Sequence, residues 1–166
     1  KMTVIKIDEA TDLIKTSDFQ YGNWPFEEFN KVQSAVYQHV SNDTNMVVAA
    51  ATSVGKTVVA ELFMADTVRR LKKKAMYIGP LKALAKEKQD DWQDKNHHFS
   101  DLNVSICSGD YRLTTARIKE LNNSDVIVMT PEMLASRCRN QKSEKSTFLK
   151  DVGVIVFDES YLLTVP

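Results

Sequence analysis

The sequence predicts an α/β fold, a mainly parallel sheet flanked by helices. Three observations carry that prediction. Five apolar runs of strand length, residues 46–51, 75–78, 104–107, 126–129 and 152–157, show no clean alternation with polar residues. Such runs suit strands buried on both faces of a parallel sheet. Helix-like stretches at 56–71, 81–93, 113–121 and 131–139 fall between them, so strand and helix alternate and right-handed crossovers are expected. Finally, Gly55-Lys56-Thr57 stands where the first run gives way to the first helix, the setting a phosphate-binding loop requires.

The remaining elements follow in chain order. Residues 1–24 read as an accessory lead-in, with an extended strand at 3–7, and residues 25–166 as the domain proper. Residues 26–40 look helical. Pro80 and Pro131 suit first helical positions, and Thr130 suits the N-cap before Pro131. The basic run Arg69-Arg70-Leu71-Lys72-Lys73-Lys74 complements the end of the helix that starts at Lys56 and forms a solvated face; a nucleic-acid patch is the alternative. His97-His98 reads as an exposed pair in a polar loop rather than a metal site, because no third ligand stands at suitable spacing. Residues 140–146 are polar and read as a solvated loop.

Composition narrows the function classes. The 166 residues are enough for one domain with a real core, and 43% hydrophobic with 27% charged residues is a globular balance. Lys plus Arg total 22 and Asp plus Glu total 22, so a nucleic-acid partner would need a local basic stripe rather than a basic sum. No apolar run approaches the roughly 20 residues of a membrane helix, and residues 1–18 lack the apolar stretch of a signal peptide. An intracellular location with no membrane partner is expected. Cys107 and Cys138 are the only cysteines and read as two reduced core thiols.

The chemistry concentrates at two places. In Ala50-Ala51-Thr52-Ser53-Val54-Gly55-Lys56-Thr57, backbone N–H groups of Thr52, Ser53, Val54 and Gly55 would turn inward around phosphates, and the helix N-terminus adds positive partial charge. Lys56 would reach the β- and γ-phosphates of ATP and Thr57 would place its hydroxyl on Mg²⁺. The strict pattern asks for glycine where Ala50 stands. The second place is Asp158-Glu159, after the run 152–157. A carboxylate at the C-terminal end of a parallel strand lies at the edge where such sheets bind ligands. Asp158 would hold Mg²⁺ and Glu159 would orient or deprotonate the attacking water.

With these residues placed, the chain resembles the first RecA-like domain of superfamily-two helicases over about residues 24–163. It is most similar to the DExH-box branch that holds the spliceosomal unwindase, exosome-associated RNA helicases and DNA-repair helicases. The P-loop followed by Val58-Val59-Ala60-Glu61 resembles motif I, in which this family has Ala at the position of Ala50. Pro80-Leu81-Lys82-Ala83-Leu84-Ala85-Lys86-Glu87-Lys88 resembles motif Ia, Ser108-Gly109-Asp110 the Gly-Asp motif, and Thr130-Pro131-Glu132-Met133-Leu134 the Thr-Pro-Glu motif. Asp158-Glu159-Ser160-Tyr161-Leu162-Leu163 resembles motif II, and Phe29-Asn30-Lys31-Val32-Gln33-Ser34 the upstream segment whose glutamine reads adenine.

The resemblance implies a RecA-like P-loop domain and an ATP-dependent motor that uses ATP and Mg²⁺ on single-stranded or partly duplex nucleic acid, DNA or RNA. It implies that Gln33 hydrogen-bonds adenine, and that Pro80, Lys82, Ala83, Gly109, Thr130 and Pro131 touch the nucleic-acid backbone, where contacts carry no sequence information. From the residues alone, Thr130-Pro131-Glu132 is equally a plain helix start, Gly79-Pro80 a turn, and Gln33 a helix-surface residue. Trp24 and Phe26 either pack on the base or anchor the core. Tyr161 stands where the branch has His and, unlike His, carries no proton near neutral pH, which bears on the coupling of hydrolysis to nucleic acid. The chain stops just after motif II, so the fold is expected to be incomplete at its C-terminus and the second RecA-like domain to be missing. Little ATPase and no unwinding are therefore expected of this stretch alone. A non-catalytic nucleotide-dependent clamp is the rival reading, and a small-molecule P-loop kinase is a third, without support from the motif Ia run.

Overall fold

The computed structural model describes residues 7, 12–42, 44–50, 55–80, 82–109 and 112–158. The chain forms two compact units, residues 1–66 and 67–166.

The second unit holds the sheet. Strands β1 (Lys74–Ile78), β2 (Val104–Cys107), β3 (Val126–Met129) and β4 (Val152–Phe157) lie in the order β2-β3-β1-β4, and every pairing is parallel. Helix α3 (Lys82–Gln93) follows β1, α4 (Thr115–Asn122) follows β2, and α5 (Pro131–Arg139) follows β3, as the alternating pattern predicts. All residues of β1, β2 and β3 are buried, in keeping with their continuous apolar runs. Successive side chains of β1 point to opposite faces. Met76 and Ile78 join Cys107, Leu121, Ile127, Met129 and Phe148 in one core cluster. Tyr77 meets Trp92 of α3 edge-to-face, 5.1 Å between ring centroids, and Trp92 in turn meets Phe99.

The edge strand β4 departs from the expectation of burial on both faces. Val152, Val154 and Val156 are half-buried, while Ile155 is 43% and Phe157 53% exposed. Among the described residues its only neighbour is β1, so one row of side chains packs and the alternate row does not. Pairing runs Lys74↔Val152 and then Ala75↔Val154, which leaves Gly153 bulged. A Cβ at Gly153 would lie 2.8 Å from Thr67 Cγ2 and 2.9 Å from Lys73 Cβ, so glycine is what lets the backbones approach there.

The first unit is held by aromatic packing. Trp24 and Phe29 meet edge-to-face at 5.2 Å, Phe29 stacks on Tyr37, and Phe19 touches Tyr21, Trp24 and Tyr37. Part of the segment 1–24 is woven into this packing: the Thr16 N–H donates to Glu27 O, the Phe29 N–H to Ile14 O and the Ile14 N–H to Ser34 Oγ. Helices α1 (Lys31–Tyr37) and α2 (Lys56–Ala65) pack together. The helix opened at Lys56 continues past Ala65 as a π-helical turn, Asp66–Arg70, so its length matches the sequence pattern.

Several expectations are corrected. Residues 46–50 form no strand, because no described strand lends this run a hydrogen-bonding ladder and an apolar run is not a strand without one. Of the helix expected over 26–40, only Lys31–Tyr37 forms; Asn30 caps it, and Glu28 is drawn into an antiparallel bridge with Lys15. Helix α3 starts at Lys82, so Pro80 precedes it rather than opening it, whereas Pro131 does open α5 after Thr130. The polar stretch 140–146 is not all loop: Ser143 caps a 3-10 helix, Glu144–Asp151, and Ser146 is buried with its hydroxyl donating to Arg137 O. Cys107 is in the core but Cys138 is exposed. The strand expected at 3–7 falls, except for Ile7, outside the described residues.

Candidate nucleotide and nucleic-acid site

Gly55 is where the sequence most tightly constrains the backbone. It sits in the left-handed region, φ 69° and ψ 46°, as the N-cap of α2, a conformation costly for any residue with a Cβ. The next residues, Lys56 and Thr57, form the first turn of α2 and are half-buried. The Val58 N–H of that turn donates to Gly55 O at 3.1 Å, and the helix dipole makes the N-terminus of α2 a natural anion seat.

Gln33 lies against this loop. Its Nε2–H donates to Gly55 O at 3.2 Å, and its Oε1 accepts from the Asn30 N–H at 3.0 Å. Asn30 Oδ1 in turn accepts from the Gln33 N–H at 2.9 Å, closing a capping box at the start of α1. Gln33 is 5% exposed, which excludes the reading of a helix-surface residue. Each amide atom keeps one further proton or lone pair beyond these bonds. A Cβ on Gly55 would fall 2.5 Å from Gln33 Nε2, so the dihedral calls for glycine and a side chain there would displace the amide from its bond to Gly55 O. Trp24 Nε1–H donates to Glu61 Oε2 at 3.4 Å within buried surroundings, while Phe26 is partly exposed. Trp24 is thus a core anchor. Thr52, Ser53 and Val54 lie outside the described residues.

In the second unit, the parallel register lines up four strand ends. Cys107 and Ile78 both pair with Met129, and Ile78 also pairs with Phe157. The residues that follow, Ser108-Gly109, Thr130-Pro131, Gly79-Pro80 and Asp158, therefore share the C-terminal edge of one sheet. The Gly79 N–H donates to Met129 O and the Asp158 N–H to Ile78 O, both at 3.1 Å. The Tyr77 hydroxyl donates to Asp158 Oδ2. Glu159 and Tyr161 lie outside the described residues.

Along this edge Lys82 and Ala83 are exposed in the first turn of α3, and among the described residues a Cβ at Gly109 would meet nothing within 4 Å. Pro80 and Pro131 are half-buried, whereas Thr130 is 4% exposed. Thr130 occupies the N-cap of α5 without a side-chain cap bond. Burial holds the Cys107 thiol at a pKa of about 11, against the opposing pull of Arg117 and Arg137, so it stays protonated at neutral pH.

Two functional candidates were not singled out from the sequence. Tyr77 is an unflagged member of an apolar run, yet a tyrosine inside a fully buried strand must find a partner for its hydroxyl. Asn30 stands three residues before Gln33, the spacing of a capping box. The basic run is also less idle than its composition suggested. Arg69 donates to His98 O and pairs with Asp101 at 2.8 Å, over the Phe99 ring, and the buried Lys74 donates from Nζ to Asn122 O. His97 and His98 are half-buried, not exposed as expected; they stack on each other, and His97 meets Phe99 edge-on while His98 meets it tilted.

Comparison with known proteins settles the family. The family model DEAD/DEAH box helicase matches residues 30–164. The chain belongs to the DEAD/DEAH box helicases. Among curated helicase relatives, the RQC trigger complex helicase SLH1 of Saccharomyces cerevisiae is 33% identical over 84% of this chain and 7% of its own length. Activating signal cointegrator 1 complex subunit 3 of Homo sapiens is 33% identical over 83% of this chain and 6% of its own. The antiviral helicase SKI2 of Saccharomyces cerevisiae is 33% identical over 82% of this chain and 9% of its own. The chain thus spans under a tenth of the length of these relatives. The solved structure of the DUF1998 helicase MrfA bound to DNA and AMPPNP superposes with a TM-score of 0.70 at 22% identity, covering 83% of this chain and 20% of that one. A hypothetical ATP-dependent RNA helicase from Sulfolobus tokodaii gives 0.62 at 24%, covering 84% and 39%. These likenesses establish the fold as the α/β, RecA-like helicase fold.

Proposed function

We propose that this chain is the ATP-binding motor domain of an intracellular ATP-dependent nucleic-acid helicase or translocase. The observation that carries the reading is the shared sheet edge, where the starts of motif Ia, the Gly-Asp motif, the Thr-Pro-Glu motif and motif II fall side by side at strand ends in register. Ligands of parallel α/β sheets bind outside the carboxyl ends of the strands.

Each residue has a role in this reading. Lys56 binds the β- and γ-phosphates, with backbone N–H groups of Thr52 to Thr57 around them. The Thr57 hydroxyl and the Asp158 carboxylate hold Mg²⁺, directly or through water; both are hard oxygen donors of the kind this ion takes. Mg²⁺ supplies charge neutralisation to the phosphates. Glu159 orients the attacking water. Gln33 spans the adenine end and the P-loop, since the amide that would use its remaining proton and lone pair on the base is already bonded to Gly55. Lys82, Ala83, Gly109, Pro80, Thr130 and Pro131 meet the nucleic-acid backbone; for the buried Thr130 that contact is made by main chain rather than hydroxyl. No described helix is long and apolar enough to cross a membrane.

The test is binding of a non-hydrolysable ATP analogue with Mg²⁺ to the wild-type chain and to Lys56→Ala. Loss of at least tenfold in affinity is expected, and equal affinity refutes the phosphate-site assignment. Tyr161 motivates one rival, a clamp that binds nucleic acid in response to ATP without turnover. Tyr161→His in the full-length protein raises nucleic-acid-stimulated hydrolysis under the motor reading. Absence of hydrolysis in both forms favours the clamp.

A further inference from the structure

We propose that Tyr77 is a positioning residue for Asp158, orienting the carboxylate that would hold the metal. The inference rests on the reading of Asp158 as a Mg²⁺ holder. Its basis is independent of the motifs, because Tyr77 belongs to none of them.

Tyr77 is the fourth of the five residues of β1, the strand hydrogen-bonded to β4, and is fully buried. Its register partner is Val156, two residues before Asp158. That offset lets the phenol, leaning along the strand, carry its hydroxyl to the end of β4, where it donates to Asp158 Oδ2. The Asp158 N–H is tied to Ile78 O at 3.1 Å. Asp158 is therefore gripped by β1 at both backbone and side chain, and one of its two oxygens is committed to the phenol.

The phenol is itself immobilised. Trp92, 1% exposed, meets the Tyr77 ring at 83° with centroids 5.1 Å apart, and Phe99 backs Trp92 at 6.1 Å. A buried phenol needs a partner for its proton, and a carboxylate oxygen is a strong acceptor for it. Outer-shell donors of this kind orient a ligating carboxylate, and their removal typically costs about 10–100-fold in metal affinity. Trp92 belongs to α3, whose first turn carries Lys82 and Ala83, so the helix that opens at the motif Ia residues also seats the group that orients the metal's carboxylate.

The experiment is a Mg²⁺ titration of ATP-analogue binding to wild type, Tyr77→Phe, Asp158→Ala and the double variant, with thermal melts of all four. Tyr77→Phe keeps the ring and its contact with Trp92. The expected result is a rise of about tenfold in the Mg²⁺ needed for half-maximal binding, with nucleotide affinity in EDTA unchanged. In the Asp158→Ala background the phenylalanine should add nothing. A normal Mg²⁺ requirement in Tyr77→Phe, with a raised one in Asp158→Ala, overturns this inference alone. A normal requirement in Asp158→Ala overturns the metal-holding reading beneath it. If Tyr77→Phe melts early, the double variant decides: additive shifts in Mg²⁺ dependence mean that Tyr77 does not act through Asp158.

Discussion

Replacing Gly55 with alanine places two separate costs on the P-loop. The residue sits at φ 69°, ψ 46°, where a Cβ costs about 1–2 kcal/mol. The new methyl would also stand 2.5 Å from Gln33 Nε2, far inside contact, so the amide must swing away and give up its 3.2 Å bond to Gly55 O. A bond of that kind contributes about 0.5–1.5 kcal/mol. If the loop escapes both by leaving the phosphate-ready conformation, the total of about 1.5–3.5 kcal/mol appears as a loss of about 10–400-fold in ATP affinity. Titration calorimetry with a non-hydrolysable analogue measures this directly. Gln33→Ala separates the two costs: in that background the contact is gone and only the dihedral cost remains, so Gly55→Ala should lose about a third to a half less binding free energy. Gly55→Ala binding ATP within twofold of wild type would refute the argument. An identical loss with and without the Gln33 side chain would refute the contact component.

Other perturbations follow from individual residues. Gly109→Ala meets open space among the described residues, so stability should stay within about 0.5 kcal/mol while single-strand affinity falls if the backbone there approaches phosphates; unchanged affinity in a fluorescence-anisotropy titration removes Gly109 from the interface. Trp92→Ala empties a fully buried site between Tyr77 and Phe99 and should cost about 3–5 kcal/mol in urea unfolding; a cost below 1 kcal/mol contradicts the packing described. Native maleimide labelling should modify Cys138 and spare Cys107, with both reacting in denaturant. The Cys107 thiol has its folded pKa raised from 9.0 to about 11, so the folded state binds more protons in between. Its stabilising contribution is complete below pH 9 and falls away as pH rises toward 11; Cys107→Val should flatten that part of the pH–stability curve, and an unchanged slope would contradict the assignment.

The sequence made the parallel sheet legible because β2 and β3 announce themselves as short apolar runs bounded by polar residues, and both strands match their runs residue for residue. Pro131 after Thr130 marked the start of α5 for the same reason: proline's missing N–H and fixed φ act locally. Less legible was whatever depends on a partner. Residues 46–50 have the composition of a strand, but pairing makes a strand and composition does not. The burial of Ser146 follows from the 3-10 helix that turns it inward, not from its polar neighbours. Gly55-Lys56-Thr57 was readable as a motif, yet its bond to Gln33 joins residues 22 positions apart, a contact that no local pattern encodes. Tyr77 escaped notice because its hydroxyl reaches an acceptor 81 residues away. What the residue itself signalled was only that some acceptor had to exist.

The helicase reading stands most directly on ATP hydrolysis by the full-length protein, measured against rising concentrations of single-stranded RNA and, separately, DNA, with Lys56→Ala alongside. It predicts a rate that climbs to a plateau with at least one of the two strands and collapses in Lys56→Ala. A rate indifferent to both nucleic acids, or undiminished in Lys56→Ala, would contradict it.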